Sequence, residues 1–483
     1  MDIDILNSYI NGKIIGANDF FTDFTGRFTF LNDAKKGDIV IRHNIDGKGI
    51  EIASSKEISC LITQTPKEGA YKKAKELNFP LIVVDKIEIA NAYALSWTIK
   101  KYSPNSRNIV VTGTNGKSTT SHLIYHILKS SGYKVFTNTD SESEFNTLID
   151  PMVSKLISDK VINNGELDFL VIEISEVQGW LGSLMKNHAY LMTKAVHPEV
   201  GVITNIAMDH IGLVNSIDEV YSEVSGVPIA IKNGWIVLNY DDKLVMKLNS
   251  FFNENTFPFF CSMSYLPFSD DSIYYDVDKK SIFYNDIAIL KEEDLPFTSN
   301  HFIQNILSAI GCCITLEIPN EDIVKGIKSY KSLNRRFSKL NDKPLIIDDF
   351  AHNPDGIKAT IKETAKLVPE GSKLYVVCSI RGSRGIDINQ MNAKALAESV
   401  TKDTEVVLSS SNDVVNHLNF VEDSEREMFF SVLNENNIEF THFDKLYDAL
   451  YNTYKNVSNE DIILLIGAQG MDPAESILKI LLK

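Results

Sequence analysis

Residues 111–119 read Val-Thr-Gly-Thr-Asn-Gly-Lys-Ser-Thr, a set of types and spacings suited to holding a polyphosphate. Gly113 and Gly116 let the backbone approach an anion closely. The amides that open a helix at Lys117 donate to it, the Lys117 ammonium adds positive charge, and the Ser118 hydroxyl can ligate Mg²⁺. The flanks fit that use, because Ile109-Val110-Val111 is an apolar β run and the residues from Lys117 to Ser130 have helical patterning. A strict G-x-x-x-x-G-K-S/T pattern would place glycine at 111, where this chain has Val111. The adjacent Lys-Ser pair favours phosphate over a plain glycine-rich turn.

A loop of this kind needs a parallel sheet beneath it. Short apolar runs alternate with helical patterns along most of the chain, which predicts α/β layers and not a sandwich or a bundle. Residues 1–104 form a first α/β unit, with strands expected at Cys60 to Thr63 and Leu81 to Val84 and an end at Ser103-Pro104-Asn105-Ser106. Residues 105–333 form the central unit, whose strands fall near Phe136, Phe169 to Ile174, Val200 to Asn205 and Trp235 to Leu238. Within it, Ser272 to Leu290 is rich in aromatic and β-branched residues and reads as a β excursion before a buried helix beginning near His301. Residues 334–483 open on Asn334-Arg335-Arg336 and repeat the strand–helix alternation as a doubly wound, Rossmann-like domain. Three domains suit 483 residues, since single cores stop growing at roughly 250–300 residues.

Composition removes several function classes. The formal net charge is −16, from 48 Lys+Arg against 64 Asp+Glu, so diffuse attraction to a nucleic-acid backbone is absent. An anionic ligand must be held by local devices instead. The five cysteines are scattered, with no C-x-x-C spacing, and fit reduced thiols in a cytoplasm. The N-terminus lacks the basic start and apolar core of a signal peptide, and the stretch His301 to Ile318 is interrupted by Gln304, Asn305 and Ser308. Neither membrane nor nucleic acid is an expected partner.

Gly113 to Thr119 resembles the phosphate loop of the Mur ligase superfamily, which includes murein peptide ligases, folylpolyglutamate synthetases and the ligase domain of cyanophycin synthetases. The resemblance recurs in order. Val171-Ile172-Glu173-Ile174-Ser175 is similar to the family's strand carrying a Mg²⁺-binding glutamate, and Thr204-Asn205-Ile206-Ala207-Met208-Asp209-His210 to its T-N-x-x-x-D-H segment. Ser299 to Asn305 resembles its H-N-x-x-N helix start, with Phe302 departing from the pattern. Arg335-Arg336-Phe337 resembles the G-R-F/M joint, and Ile347 to Asp355 the D-D/Y-Y/F-A-H-x-P segment. Taken alone, Glu173 would read as a solvated carboxylate, His210 as structural and Arg336 as a linker cation.

The resemblance implies a three-domain architecture around a central P-loop ATPase-like parallel sheet. It implies ATP and Mg²⁺ as cofactors and activation of a carboxylate as an acyl phosphate that an amine attacks. Gly113, Thr114, Asn115, Gly116, Lys117, Ser118 and Thr119 would hold the phosphates. Asn205 and Asn305 would serve the nucleotide, Arg336 the phosphates and Asp349 the ribose. Ser118, Glu173 and His210 would bind metal, with Lys117, Glu173, His210 and Arg336 as the catalytic set. Asn146 and Thr147, in a segment similar to the acceptor-contacting N-T of murein ligases, and His352 would face substrate. The implied partners are a UDP-linked peptide or similar carboxylate acceptor and a free amino acid, acted on by a monomer. Residues Leu408 to Asp413 lack the D-N-P-R segment of diaminopimelate-adding ligases. With the cyanophycin-synthetase-like Gly234 to Asp242, that blend most resembles the archaeal pseudomurein peptide ligases; a bacterial murein tripeptide ligase, a cyanophycin-type ligase and a folylpolyglutamate synthetase stay open, as does a P-loop kinase or ATPase without ligation. Many members also carry a CO₂-carbamylated lysine beyond the D-H pair, yet no lysine lies between His210 and Lys232. His210, with Glu223 or water, is expected to complete the second metal shell in its place; the plainer expectation is that Glu219 and Glu223 form a solvated helix face.

Overall fold

The computed structural model describes residues 3–16, 26–139, 148–180, 182–209, 212–267, 271–296, 298–417 and 419–482. The chain divides into two compact units, 1–208 with 213–330, and 209–212 with 331–483.

The first unit carries two large sheets. The smaller comprises β1 (Lys13–Ile15), β2 (Phe28–Thr29), β3 (Ile39–Ile45), β4 (Cys60–Pro66) and β5 (Leu81–Val83), in the order β1-β5-β4-β3-β2. Only β1 runs antiparallel to its neighbour. The larger is built from β6 (Arg107–Thr112), β7 (Val135–Thr137) and β8 (Phe169–Glu173), a small separate hairpin of β9 (Gly179–Trp180) with β10 (Ser183–Leu184) being interposed in sequence. It continues through β11 (Val200–Ile203), β12 (Gly234–Asn239), β13 (Thr256–Ser262), β14 (Ser272–Asp276), β15 (Ser281–Tyr284) and β16 (Ile287–Lys291). The order β16-β15-β14-β13-β12-β11-β6-β8-β7 is parallel from β7 to β14 and closes in an antiparallel meander. Strands β6, β8 and β11 are apolar on both faces, as a sheet covered by helices on both sides requires.

Beneath this sheet the helix Asn300–Thr315 is buried along nearly its whole length. The helix Lys117–Ser130 packs on the same side, its Leu123, Ile124, Ile127 and Leu128 joining Ile303, Ile306, Leu307 and Ile310 in one core. The opposite face is covered by the helices Met152–Asn164, His188–Val196 and Ile217–Ala230. At Gly226 the last two approach so closely that a Cβ would lie 2.9 Å from the Tyr190 amide nitrogen.

The second unit is a six-stranded sheet of β17 (Ser338–Asp342), β18 (Leu345–Asp349), β19 (Leu374–Ser379), β20 (Thr404–Ser409), β21 (Phe440–Phe443) and β22 (Ile462–Ile466). Its order is β17-β18-β22-β19-β20-β21, with β17 alone antiparallel. Among the described residues no helix is long and apolar enough to cross a membrane.

Candidate active site

Strand register gathers the central site. β6 lies between β8 and β11, with Val111 paired to Glu173 and Thr112 to Ile203. The residues that follow these three strands therefore meet at their carboxyl ends, where an open α/β sheet places its ligand crevice. The loop after β6 turns through Gly113 at φ +123° and Gly116 at φ +83°, conformations that favour glycine. Gly116 also leaves no room: a Cβ there would stand 2.2 Å from Asn305 Oδ1.

The segment after β11 holds this loop. Asn205 O accepts from the Thr114 amide at 2.9 Å, Asn205 Oδ1 accepts from the Asn115 amide at 2.9 Å, and Asn205 Nδ2 donates to Asn115 O at 2.8 Å. Thr204 Oγ1 donates to Asn115 O at 2.7 Å, while Thr114 Oγ1 donates to Ala207 O and accepts from the Ala207 amide. The Thr114 and Asn115 amides are so engaged, while the first-turn amides from Gly116 onward have no intrahelical acceptor. The 204–206 segment is fixed in turn by β12, since Asn239 Nδ2 donates to Thr204 O and Asp242 Oδ2 accepts from the Ile206 amide.

Lys117 Nζ donates to Thr114 O at 2.9 Å and to Glu176 Oε2 at 2.7 Å. Beside it, the Glu173 carboxylate accepts from Ser118 Oγ at 3.1 Å and from Thr139 Oγ1 at 2.8 Å. Asn138 clamps the Glu173 backbone from both sides, its Oδ1 accepting from the Glu173 amide and its Nδ2 donating to Glu173 O. One carboxylate and two hydroxyls make an all-oxygen donor set, which suits a hard cation such as Mg²⁺ completed by phosphate oxygens and water. No cluster of three or more His, Cys, Asp or Glu arranged for a metal occurs among the described residues. His210 lies outside them, as do Asn146 and Thr147. The Ile149 carbonyl accepts from His43 Nε2 at 3.0 Å and Asn91 Nδ2 at 2.5 Å. His43 stacks on Trp180 with ring centroids 3.9 Å apart.

Glu219 and Glu223 separate. Glu219 is exposed and accepts from the Asn215 amide at the start of its helix. Glu223 is buried, and its Oε1 accepts from the Asn187 amide at the start of the helix His188–Val196. The solvated face expected of the pair therefore holds for Glu219 alone. Helix packing at Gly226 turns Glu223 inward.

In the second unit Arg335 and Arg336 diverge. Arg335 donates to Ala468 O at 3.1 Å and to Gly467 O, and pairs with Asp348 at 3.3 Å and with Asp472. Arg336 is half-buried with its guanidinium 4.9 Å from the Phe350 ring centroid. Asp349 accepts from the Phe337 amide at 2.7 Å, from the Ala351 amide at 2.9 Å and from Thr360 Oγ1 at 3.2 Å. Its carboxylate thus ties the Arg-Arg-Phe joint to β18. His352 Nδ1 donates to Phe350 O at 2.7 Å, and its Nε2 stands 3.9 Å from Asp209. Burial, then the neighbouring Arg381, holds this imidazole well below the ordinary histidine pKa. Buried Glu425 accepts from the Ser383, Arg384 and Gly385 amides, fixing the loop after β19.

The sequence analysis does not name Glu176, Asn138 or Thr139, and it gives Asn239 and Asp242 no role beyond their place in the cyanophycin-synthetase-like segment. Glu176 had one available signal, a second acid three residues beyond Glu173 in the turn leaving the same strand. Asn138 and Thr139 carried none, because only the register brings them to Glu173.

Two family models match: "Mur ligase middle domain" over residues 111–313 and "Mur ligase, glutamate ligase domain" over residues 335–469. The chain is 27% identical over 384 residues to the UDP-N-acetylmuramate–L-alanine ligase of Clostridium acetobutylicum, covering 75% of this chain and 73% of that one. Among solved structures, MurF from Acinetobacter baumannii superposes with a TM-score of 0.70 at 18% identity, covering 99% of this chain and 98% of that one. A pseudomurein peptide ligase type C from Methanothermus fervidus gives a TM-score of 0.58 at 22% identity, with 92% and 95% covered. MurF ligase from Thermotoga maritima, solved in complex with ADP, gives 0.65 at 16% identity, with 95% and 97% covered.

Proposed function

The chain belongs to the Mur ligase superfamily, whose members are ATP-dependent amide ligases, and from that premise we propose that it adds one amino acid to a nucleotide-activated pseudomurein peptide precursor. The observation that carries the ligase chemistry is the arrangement of Lys117, Ser118 and Glu173 at the mouth of the 113–119 loop. The pathway assignment rests on the likeness to the Methanothermus fervidus ligase together with the missing D-N-P-R segment.

In this reading the first-turn amides from Gly116 to Thr119 and the Lys117 ammonium orient the ATP phosphates, Asn205 keeps the loop in shape, and Asn305, which stands against Gly116, is assigned to the nucleotide. Ser118 and Glu173, with His210, are the residues that would hold Mg²⁺, which when bound neutralises charge on the transferred phosphoryl group. The acceptor carboxylate oxygen attacks the γ-phosphorus and ADP leaves, giving an acyl phosphate. The amine of the amino acid then attacks the acyl carbon, and phosphate departs from the tetrahedral intermediate with the proton lost to solvent. Catalysis of this kind is positioning and charge stabilisation more than covalent chemistry by the protein. Arg336 is assigned to phosphate contact, Asp349 to the nucleotide end through the joint it fixes, and Asn146, Thr147 and His352 to the acceptor side.

The test is ADP release measured against UDP-linked peptides crossed with single amino acids, with ¹⁸O in the acceptor carboxylate. The label must appear in the released phosphate. Label retained entirely in the amide product and water excludes the acyl phosphate. A second reading, addition of L-alanine to UDP-N-acetylmuramate, is favoured by the name of the Clostridium acetobutylicum relative. ADP release with that pair and no peptide acceptor would select it.

A further inference from the structure

We propose that His122 and His126 are positioning residues that fasten the connector between the two units to the phosphate-loop helix, so that filling the loop is felt at the joint carrying Arg336. The proposal rests on the reading of 113–119 as the nucleotide phosphate loop.

The first unit ends at Tyr330, and the second takes up the chain at Lys331. The last two residues before that boundary are each held by the helix Lys117–Ser130. His122 Nδ1 lies 3.1 Å from the Tyr330 hydroxyl, and His126 Nε2 lies 3.0 Å from Ser329 Oγ. Ser329 Oγ itself donates to Lys325 O at 2.9 Å, so toward His126 it accepts from the ring N–H. The Tyr330 ring stands edge-on to both imidazoles, with centroids 5.4 and 5.5 Å away.

Packing alone does not ask for these contacts. The helix Asn320–Lys328 is already fixed against the phosphate-loop helix at Gly326, where a Cβ would lie 2.8 Å from Ile127 Cα, and its Ile323 and Ile327 fill the core. The histidines act past the end of that helix. Their hydrogen bonds set the direction in which Ser329 and Tyr330 leave it, which apolar contact does not. Beyond the boundary the connector is anchored again: Arg335 pairs with Asp348 and Asp472, the Phe337 amide donates to Asp349, and the Phe350 amide donates to Arg335 O at 2.7 Å. Only Lys331, Ser332, Leu333 and Asn334 separate the two anchors, and the Arg336 amide donates to Leu333 O. So short a connector has little slack. His122 and His126 stand about 8 and 14 Å along the helix from Lys117, where the phosphates are held. Order imposed on the first turn by a phosphate therefore reaches the connector through one helix.

The experiment is amide hydrogen exchange of the full chain, with and without ADP and Mg²⁺, read on peptides spanning 113–120 and 328–336. It is run on wild type, on the double variant His122→Ala/His126→Ala, and on His122→Asn/His126→Gln, whose side-chain amides place a nitrogen near the lost Nδ1 and Nε2. Calorimetric ADP titrations and thermal midpoints accompany it. In wild type the nucleotide should slow exchange in both segments. In the alanine pair the protection of 113–120 and the ADP dissociation constant should persist, while the protection of 328–336 by nucleotide falls by about tenfold, as the loss of two side-chain hydrogen bonds implies. The amide pair should restore it. Connector protection that is equal in the alanine pair and in wild type overturns the proposal, as does a wild type in which ADP protects 113–120 and leaves 328–336 unchanged. A fall of thermal midpoint and of ADP affinity in both variants alike would make the histidines fold residues and overturns it too. If ADP with Mg²⁺ protects neither segment of wild type, the phosphate-loop reading itself fails, and the proposal with it.

Discussion

Asn205→Ala isolates how much of nucleotide binding depends on a preformed loop. The substitution removes Asn205 Oδ1 from the Asn115 amide and Asn205 Nδ2 from Asn115 O, and leaves the backbone bond from the Thr114 amide to Asn205 O in place. Two neutral hydrogen bonds at about 1 kcal/mol net each put the loss of loop order near 2 kcal/mol. If the nucleotide must restore that order on binding, its dissociation constant rises by about 30-fold. Asn205→Asp makes a finer test, because it keeps the acceptor for the Asn115 amide and sets a carboxylate oxygen against Asn115 O. It should therefore bind no better than Asn205→Ala despite retaining one of the two bonds. The assay is calorimetric titration with ADP and Mg²⁺, with the thermal midpoint of the nucleotide-free protein as control. An ADP dissociation constant within twofold of wild type in folded Asn205→Ala would refute the reasoning. A direct role for Asn205 at the base would also be separable, because an adenine contact would make the loss depend on the base, whereas loop order acts equally on ADP and GDP.

Lys117→Ala should abolish ADP-forming turnover with little change in thermal midpoint, because a loop lysine holds phosphate and not core; near-normal kcat would remove it from the site. Glu173→Ala should raise the Mg²⁺ concentration needed for half-maximal rate, since one oxygen ligand and one negative charge leave the site, and an unchanged Mg²⁺ titration would move the metal elsewhere. His188 is buried with neither ring nitrogen hydrogen-bonded, and burial lowers its pKa from 6.5 to about 4. The unfolded chain then binds a proton that the fold refuses, so stability is full above pH 6.5 and falls by roughly 3 kcal/mol as pH drops through about 4. His188→Phe should flatten the urea midpoint over that range, and an undiminished slope would assign the acid loss to other groups. Activity should be insensitive to bicarbonate depletion at fixed pH, because no lysine lies between His210 and Lys232, and Lys232 at the helix end donates to Ile229 O. Restoration of lost activity by added bicarbonate would contradict this.

What the sequence made legible is what depends on neighbours along the chain. The apolar runs at Cys60, Leu81, Phe169, Val200, Leu374 and Ile462 all form parallel strands, because continuous β-branched and leucine runs suit a sheet covered on both faces. The stretch Ser272 to Leu290 becomes β14, β15 and the start of β16, and the helix expected near His301 spans Asn300–Thr315. The phosphate loop was readable for the same reason. Two glycines, a lysine and a serine between a strand and a helix specify a local backbone shape, which the positive φ of Gly113 and Gly116 then supplies.

The remainder of the site depends on register, and no local pattern encodes register. Glu173 and Glu176 are three residues apart on one strand and its exit, and sequence alone gives both the same solvated carboxylate. Pairing Val111 with Glu173 sets Glu173 level with Ser118 and directs Glu176 to Lys117, so one acid faces hydroxyls and the other an ammonium. Tertiary packing likewise decides Glu223, where a close helix contact at Gly226 turns an apparently exposed acid toward the Asn187 amide. It also explains Asp349, whose carboxylate is drawn to the Phe337 amide because Phe337 turns at φ +53° against β18. Glu176 and Glu223, acids with no distinctive local context, take their contacts from the donors that tertiary structure brings to them. For this fold, an acid that closely follows a parallel strand's carboxyl end is therefore worth testing before one in the middle of an amphipathic helix.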